Sequence, residues 1–207
     1  MTPLHLLVVL LLASVEAQLN PLGRFGKCID VKAKDVNEAD LEGTWYLQYR
    51  PENPDHYVHT CQAQYDHETK DGILHSLLYF YNKGKSVNEP QHIKYQKIKP
   101  GVYKRGITVD EAAVYIKLYV LDFDTEKNSR VLYYCTDSNS ANPDIFNVQI
   151  ATRDQIPTNL KEVFAAGESK LQEASSKFKV PLMKVEQSTA KCAPLIVEKG
   201  AMDKYLG

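Results

Sequence analysis

Between residues 43 and 153 apolar and polar positions alternate with a period of two, the pattern of strands that cover one face. Gly43–Arg50 sets Trp45, Leu47 and Tyr49 against Thr44, Gln48 and Arg50. Pro51-Glu52-Asn53-Pro54-Asp55 interrupts it, because neither proline can donate to a ladder. Thr60–Thr69 resumes with Cys61, Ala63 and Tyr65 opposite Gln62, Gln64 and Asp66, and Asp71-Gly72 turns the chain into Ile73–Asn82. Pro90–Lys99 changes parity between Tyr95 and Ile98, which predicts a bulge near Gln96 or Lys97. Val102–Val109, Ala113–Asp124, Arg130–Thr136 and Ile145–Arg153 follow across short turns. Eight such strands in a meander predict an all-β, antiparallel up-and-down barrel, since closure removes the edges.

From Thr158 the period becomes helical. Leu160, Val163, Phe164, Gly167, Leu171, Ala174 and Phe178 recur at three- and four-residue steps, with Lys161, Glu162, Glu168 and Glu173 elsewhere. One apolar stripe on a charged helix predicts a C-terminal helix packed outside the barrel, ended before Pro181.

Met1–Ala17 reads as a secretory signal peptide: a weakly positive start, an unbroken apolar run over Leu6–Ala13, and small residues at Val15-Glu16-Ala17. The apolar run is far short of the roughly twenty residues that a membrane span needs. The expected organisation is a leader over 1–17, a lead-in over 18–42, the barrel over 43–153, and a helix with its tail over 154–207. Loss of the leader removes one acidic residue, Glu16, from 26 acidic and 25 basic side chains and leaves the mature chain balanced. That balance argues against nucleic acid or an anionic membrane as partner.

Four cysteines in a secreted chain imply two disulfides, and three pairings are open. No C-x-x-C spacing supports a metal site. No catalytic constellation appears either. With the cysteines paired there is no thiol nucleophile, Ser138 and Ser140 lack a nucleophile elbow, and the six histidines include no His-x-x-x-His pair. No enzyme, cofactor or metal is expected.

Gly43-Thr44-Trp45-Tyr46 ahead of the strands, with Cys28 upstream and one helix after the last strand, resembles the lipocalins. The Thr-Asp-Tyr motif of that family is replaced by Asp122-Phe123-Asp124-Thr125. This departure, Lys27-Cys28, the Pro-rich loop ending at Cys61, and Leu78-Tyr79-Phe80-Tyr81-Asn82 resemble the triatomine-type salivary lipocalins, the nitrophorin and triabin-like group. The resemblance covers nearly all of the mature chain. It implies the interleaved pairing Cys28–Cys135 and Cys61–Cys192. It also implies that Trp45 plugs the closed end of the barrel with Arg153 across its ring, both structural. The nitrophorin haem histidine falls at Phe80, which cannot ligate iron, so haem chemistry is not expected.

Loops carried on a rigid barrel are where specificity resides. At the open mouth Asp55, His56 and Tyr57, with Asn139 and Asn142, are candidates to hold a polar ligand head. Thirteen tyrosines make an aromatic lining plausible, and Tyr49, Phe80, Tyr115 and Tyr133 are the candidate wall. The ligand-binding set is therefore Tyr49, Asp55, Tyr57, Phe80, Tyr115 and Tyr133. Lys94, Lys97, Lys99, Lys104 and Arg105 crowd one hairpin, either as a solvated face or as a surface for an acidic partner or anionic ligand.

Together these features read as a secreted, extracellular, monomeric lipocalin. It would sequester a small amphipathic or aromatic ligand, a biogenic amine, nucleotide or eicosanoid, in insect saliva. One alternative is an inhibitor of clotting or platelets that binds a host protein through its outer surface. Another is a pigment or lipid carrier of haemolymph.

Overall fold

A computed structural model describes residues 25–52, 59–82, 85–86, 90–109, 112–192 and 200–206. The expected leader over 1–17 and residues 53–58, with Asp55, His56 and Tyr57, lie outside the described residues.

Among the described residues, nine strands and one helical turn precede the main helix. After α1 (Glu38–Leu41) come β1 (Gly43–Pro51), β2 (His59–Glu68), β3 (Ile73–Asn82) and the two-residue β4 (Lys85–Ser86). Then follow β5 (Gln91–Lys99), β6 (Val102–Val109), β7 (Ala112–Asp124), β8 (Ser129–Thr136) and β9 (Asn147–Thr152). Helix α2 (Leu160–Ala174), strand β10 (Leu182–Lys184) and α3 (Asp203–Leu206) follow among the described residues.

Each long strand pairs antiparallel with the next, and β1 pairs with β9, so β1, β2, β3 and β5–β9 form a closed eight-stranded up-and-down barrel. Short β10 adds to the outside of β1, with Tyr49 opposite Lys184. The register slips between Lys97 and Lys99, adjoining the bulge that the parity change predicts. Further slips at Thr60/Ala63, Val120/Asp122 and Leu47/Tyr49 have no mark in the alternation. Each turns the downstream side chains to the other face.

Two separate cores result. Inside the barrel Leu74, Tyr95, Tyr103, Leu118, Val120, Leu132 and Tyr134 pack with Val36 and Leu41 of the lead-in. Outside it, Val163 and Leu171 of α2 and Phe178 beyond it pack on Val102, Tyr119, Val131, Tyr133, Val148 and Ile150 of the outer strand faces. Gly167 is what lets the helix approach: a Cβ there would sit 2.5 Å from Ile150 Cδ1. The helix stops at Ala174, shorter than the apolar stripe suggests, because Ser175 is extended while Phe178 folds back onto the same core.

Cys28 is bonded to Cys135 and Cys61 to Cys192. The first ties the lead-in to β8, and the second ties the tail after β10 to β2.

Candidate functional site

The barrel is plugged at one end. Gly43, with φ of 102°, turns the chain from α1 into β1, and Trp45 enters the barrel fully buried. Its Nε1 donates to the Leu41 carbonyl at 2.9 Å. The Arg153 guanidinium lies 3.7 Å from the Trp45 ring centroid, and its Nη2 donates to the Asp40 carbonyl at 2.6 Å. Arg130 approaches the same indole at 4.3 Å, and Phe123 meets its edge at 5.7 Å. Burial, with the like charge of Arg130 nearby, lowers Arg153 to about 10.

Two buried carboxylates stand on the inner face of β2. Asp66 accepts from Arg130 Nη1 at 2.6 Å, from Ser76 Oγ at 2.5 Å, and from Gln64 Nε2 at 2.7 and 3.0 Å. Glu68 accepts from the Tyr103 hydroxyl at 2.5 Å and pairs with Lys97 Nζ at 2.9 Å. Both anions are thus neutralised and hydrogen-bonded, as buried charges must be. Around them Leu74, Tyr103, Leu118 and Leu132 fill the closed half.

Further from the plug the inner face changes character. Tyr95 and Tyr134 are buried there, and burial raises both hydroxyls, so they remain neutral donors. Arg105 sits opposite Ile116, with its guanidinium 5.5 Å from the Tyr95 ring centroid. Arg50 is 2% exposed and donates to Gln62 Oε1 at 3.4 Å. Toward the mouth Leu78, Phe80, Ile93, Ile107 and Val114 on inner positions are only half-buried. The barrel is filled at its plugged end, and toward the other end its inner apolar positions are only half-buried.

The lining differs from the tyrosine wall that the sequence suggests. Phe80 alone of that set is on the inner face. Tyr49 lies outside, 4.4 Å from Phe164 of α2, because the bulge after Leu47 reverses its facing. Tyr133 is also outside, buried between Tyr119 and Phe178, where burial raises its hydroxyl to about 12. Tyr115 is 50% exposed on the outer surface, with Lys104 Nζ 5.1 Å from its ring centroid. Asn139 and Asn142 are surface turn residues, with Asn142 Oδ1 accepting from the Asp144 amide. The basic hairpin does not form one patch: Arg105 and Lys97 turn inward, while Lys104 lies on Tyr115.

A closed eight-stranded up-and-down barrel, plugged by a tryptophan–arginine stack and flanked by one helix, decides the architecture. The fold is that of a lipocalin. Among solved structures, this lipocalin fold is similar to insecticyanin from the tobacco hornworm Manduca sexta, with a TM-score of 0.57, 18% identity, and coverage of 81% of this chain and 90% of that one. It is likewise similar to the amine-binding protein of Rhodnius prolixus in its tryptamine complex, with a TM-score of 0.57, 17% identity, and coverage of 87% and 95%. The cockroach allergen Per a 4 matches with a TM-score of 0.52, 13% identity, and coverage of 80% and 97%. No family model matches the sequence, and no curated protein matches it by sequence. The similarity is carried by the fold.

Inner Arg130, Asp66, Glu68, Tyr95 and Tyr134 escape the sequence reading, and Arg105 enters it only as one member of a basic hairpin. Alternation separates two faces but does not say which one is inside. The signal that could have found them is the outer face itself, which is apolar where α2 needs a partner.

Proposed function

We propose that this chain is a secreted lipocalin that captures a small molecule inside its barrel, stoichiometrically and without turnover. The observation that carries this reading is the contrast along the inner face. The plugged end is packed, whereas Leu78, Phe80, Ile93, Ile107 and Val114 near the mouth leave apolar surface accessible. Likeness to the amine-binding protein of Rhodnius prolixus supports small-ligand capture, and two disulfides favour an extracellular setting. The host-mediator role, with the ligand an amine, nucleotide or eicosanoid met in insect saliva, extends the sequence resemblance. Removing such a mediator would counter vasoconstriction or platelet activation. The protein acts as a monomer.

A thermal-shift screen with amines, nucleotides, eicosanoids and haem tests it. A ligand present at about a hundred times its Kd adds roughly 2.7 kcal/mol to stability, enough for a clear rise in Tm. One class should stabilise and the others should not.

A second reading rests on Tyr115, an exposed aromatic beside Lys104 on the outer β6–β7 surface. Exposed aromatic and basic side chains anchor protein interfaces. If no small molecule stabilises the protein while clotting or platelet activation is inhibited, this surface is the site, and Tyr115→Ala should abolish inhibition.

A further inference from the structure

We infer that residues 200–206 form a pH-released strap, docked on the outer face of β3 and β5 near neutral pH and let go under mildly acidic conditions through the His75–His92 pair.

The strand register places the strap. Ser76 reaches the inner Asp66, so its neighbours His75 and Leu77 face outward. Leu77 pairs with Tyr65 of β2 on one side and with His92 of β5 on the other. Tyr205 of α3 stacks on His92 with ring centroids 3.8 Å apart, and the charge of Asp203 acts on the Tyr65 hydroxyl. Residues 200–206 thus meet the wall on both sides of Leu77, which is fully buried, and their own Met202 is buried too.

Little else holds the segment. Its turn hydrogen bonds are internal, from the Asp203 amide to the Gly200 carbonyl and from the Tyr205 amide to the Met202 carbonyl. Among the described residues no salt bridge joins it to the barrel. A segment held mainly by one ring stack and one buried methionine lies at the low end of local stability. A modest change at His92 is enough to free it.

Protonation supplies that change. His75 Nδ1 and His92 Nε2, 3.1 Å apart, share one N–H while both rings are neutral. Two imidazoliums are donors only, so the bond is lost and two like charges meet. The surroundings add to the repulsion. Lys94 of β5 stands opposite His75, His67 of β2 faces it from the other side, and Lys204 of the strap acts on His92. Asp71 opposes in part at His75, and Glu42 lies 3.4 Å from His67 Nδ1. Burial first, and then these cations, hold both imidazoles below their ordinary value while the strap is docked. Release returns the pair toward the value of about 6.5 in water. The released state therefore binds more protons, so docking is undiminished above about pH 6.5 and weakens as the pH falls below it. Each proton taken up on release raises the ratio of released to docked chain by up to about tenfold per pH unit.

Backbone 15N relaxation of the purified protein at pH 7.5 and pH 5.5 tests the inference. Order parameters over 201–206 should match the barrel strands at pH 7.5 and fall below about 0.6 at pH 5.5, with buried Leu47 and Leu132 unchanged. His92→Phe keeps a ring under Tyr205 but takes up no proton, and should stay ordered at pH 5.5. Tyr205→Ala should be mobile at both pH values. His75→Gln leaves one titrating imidazole in place of two, and should release only at lower pH. Circular dichroism identifies any variant that has lost the barrel; if His92→Phe is one, His75→Gln decides in its place. Equal order at both pH values in the unaltered protein, mobility already present at pH 7.5, or release at pH 5.5 in the deciding folded variant overturns the inference. No ligand enters the experiment, so the capture reading stands or falls separately.

Discussion

The Arg153 guanidinium stacks 3.7 Å from the centroid of the Trp45 indole, and through this pair the last strand is fastened to the first. The same guanidinium donates to the Asp40 carbonyl of α1, and Trp45 donates to Leu41, so plug, first strand and chain after β9 form one unit. Trp45→Ala should cost about 3–5 kcal/mol, the range for deleting a buried large aromatic. Arg153→Ala should cost less, about 1–2 kcal/mol. Urea unfolding at neutral pH reads both. The emission of Trp45 should be blue-shifted and indifferent to ligand, because the plug lies below the accessible half of the barrel.

The disulfides tie both flanking segments to the wall. Non-reducing peptide mapping should link Cys28 to Cys135 and Cys61 to Cys192. Their separations of 107 and 131 residues make each worth on the order of 4–5 kcal/mol in the chain-entropy description. A Cys61→Ser/Cys192→Ser variant should therefore unfold at much lower denaturant. Recovery of a Cys28–Cys192 peptide would contradict this architecture.

On the outer face of β3 and β5, His75 Nδ1 lies 3.1 Å from His92 Nε2, and His92 stacks 3.8 Å from the Tyr205 ring of α3. Burial lowers both imidazoles first, then Lys94 and His67 act on His75, and His75, Lys94 and Lys204 on His92; Asp71 opposes in part. The folded values lie below the unfolded value of about 6.5, so the unfolded chain binds more protons in the interval between them. Stability is full above about pH 6.5 and falls as the pH drops below it. Tm should decline from pH 7.5 to pH 5.5, and His92→Gln should flatten that decline.

Haem should not bind. Phe80 stands on the inner face near the mouth where the sequence resemblance puts the nitrophorin ligand, and phenylalanine has no donor for iron. Haemin titration followed by gel filtration should leave a protein without a Soret band. A stoichiometric, histidine-ligated spectrum would require a different alignment of β3.

The strand order, the closed meander and the external helix were legible in the sequence because a period of two and a period of 3.6 are set by backbone geometry. The lining was not. Tyr49 and Tyr133 carry the apolar signal of a core, yet the core they serve is the one under α2. Gln64, Asp66 and Arg130 look like solvent-facing residues, yet they satisfy one another inside the barrel. A barrel buried on both faces leaves hydrophobicity unable to tell inside from outside, and single-residue bulges flip the facing again. The short elements α1, β10 and α3 left no period long enough to read.

Capture inside the barrel is the central claim, and amide and methyl chemical shifts test it most directly. On titration with the small molecule that most raises Tm, shifts should move at Leu78, Phe80, Ile93, Arg105, Ile107 and Val114, with Trp45, Tyr115 and the α2 stripe unchanged. Shifts confined to Tyr115, Lys104 and their outer-face neighbours, with the inner positions still, would contradict it.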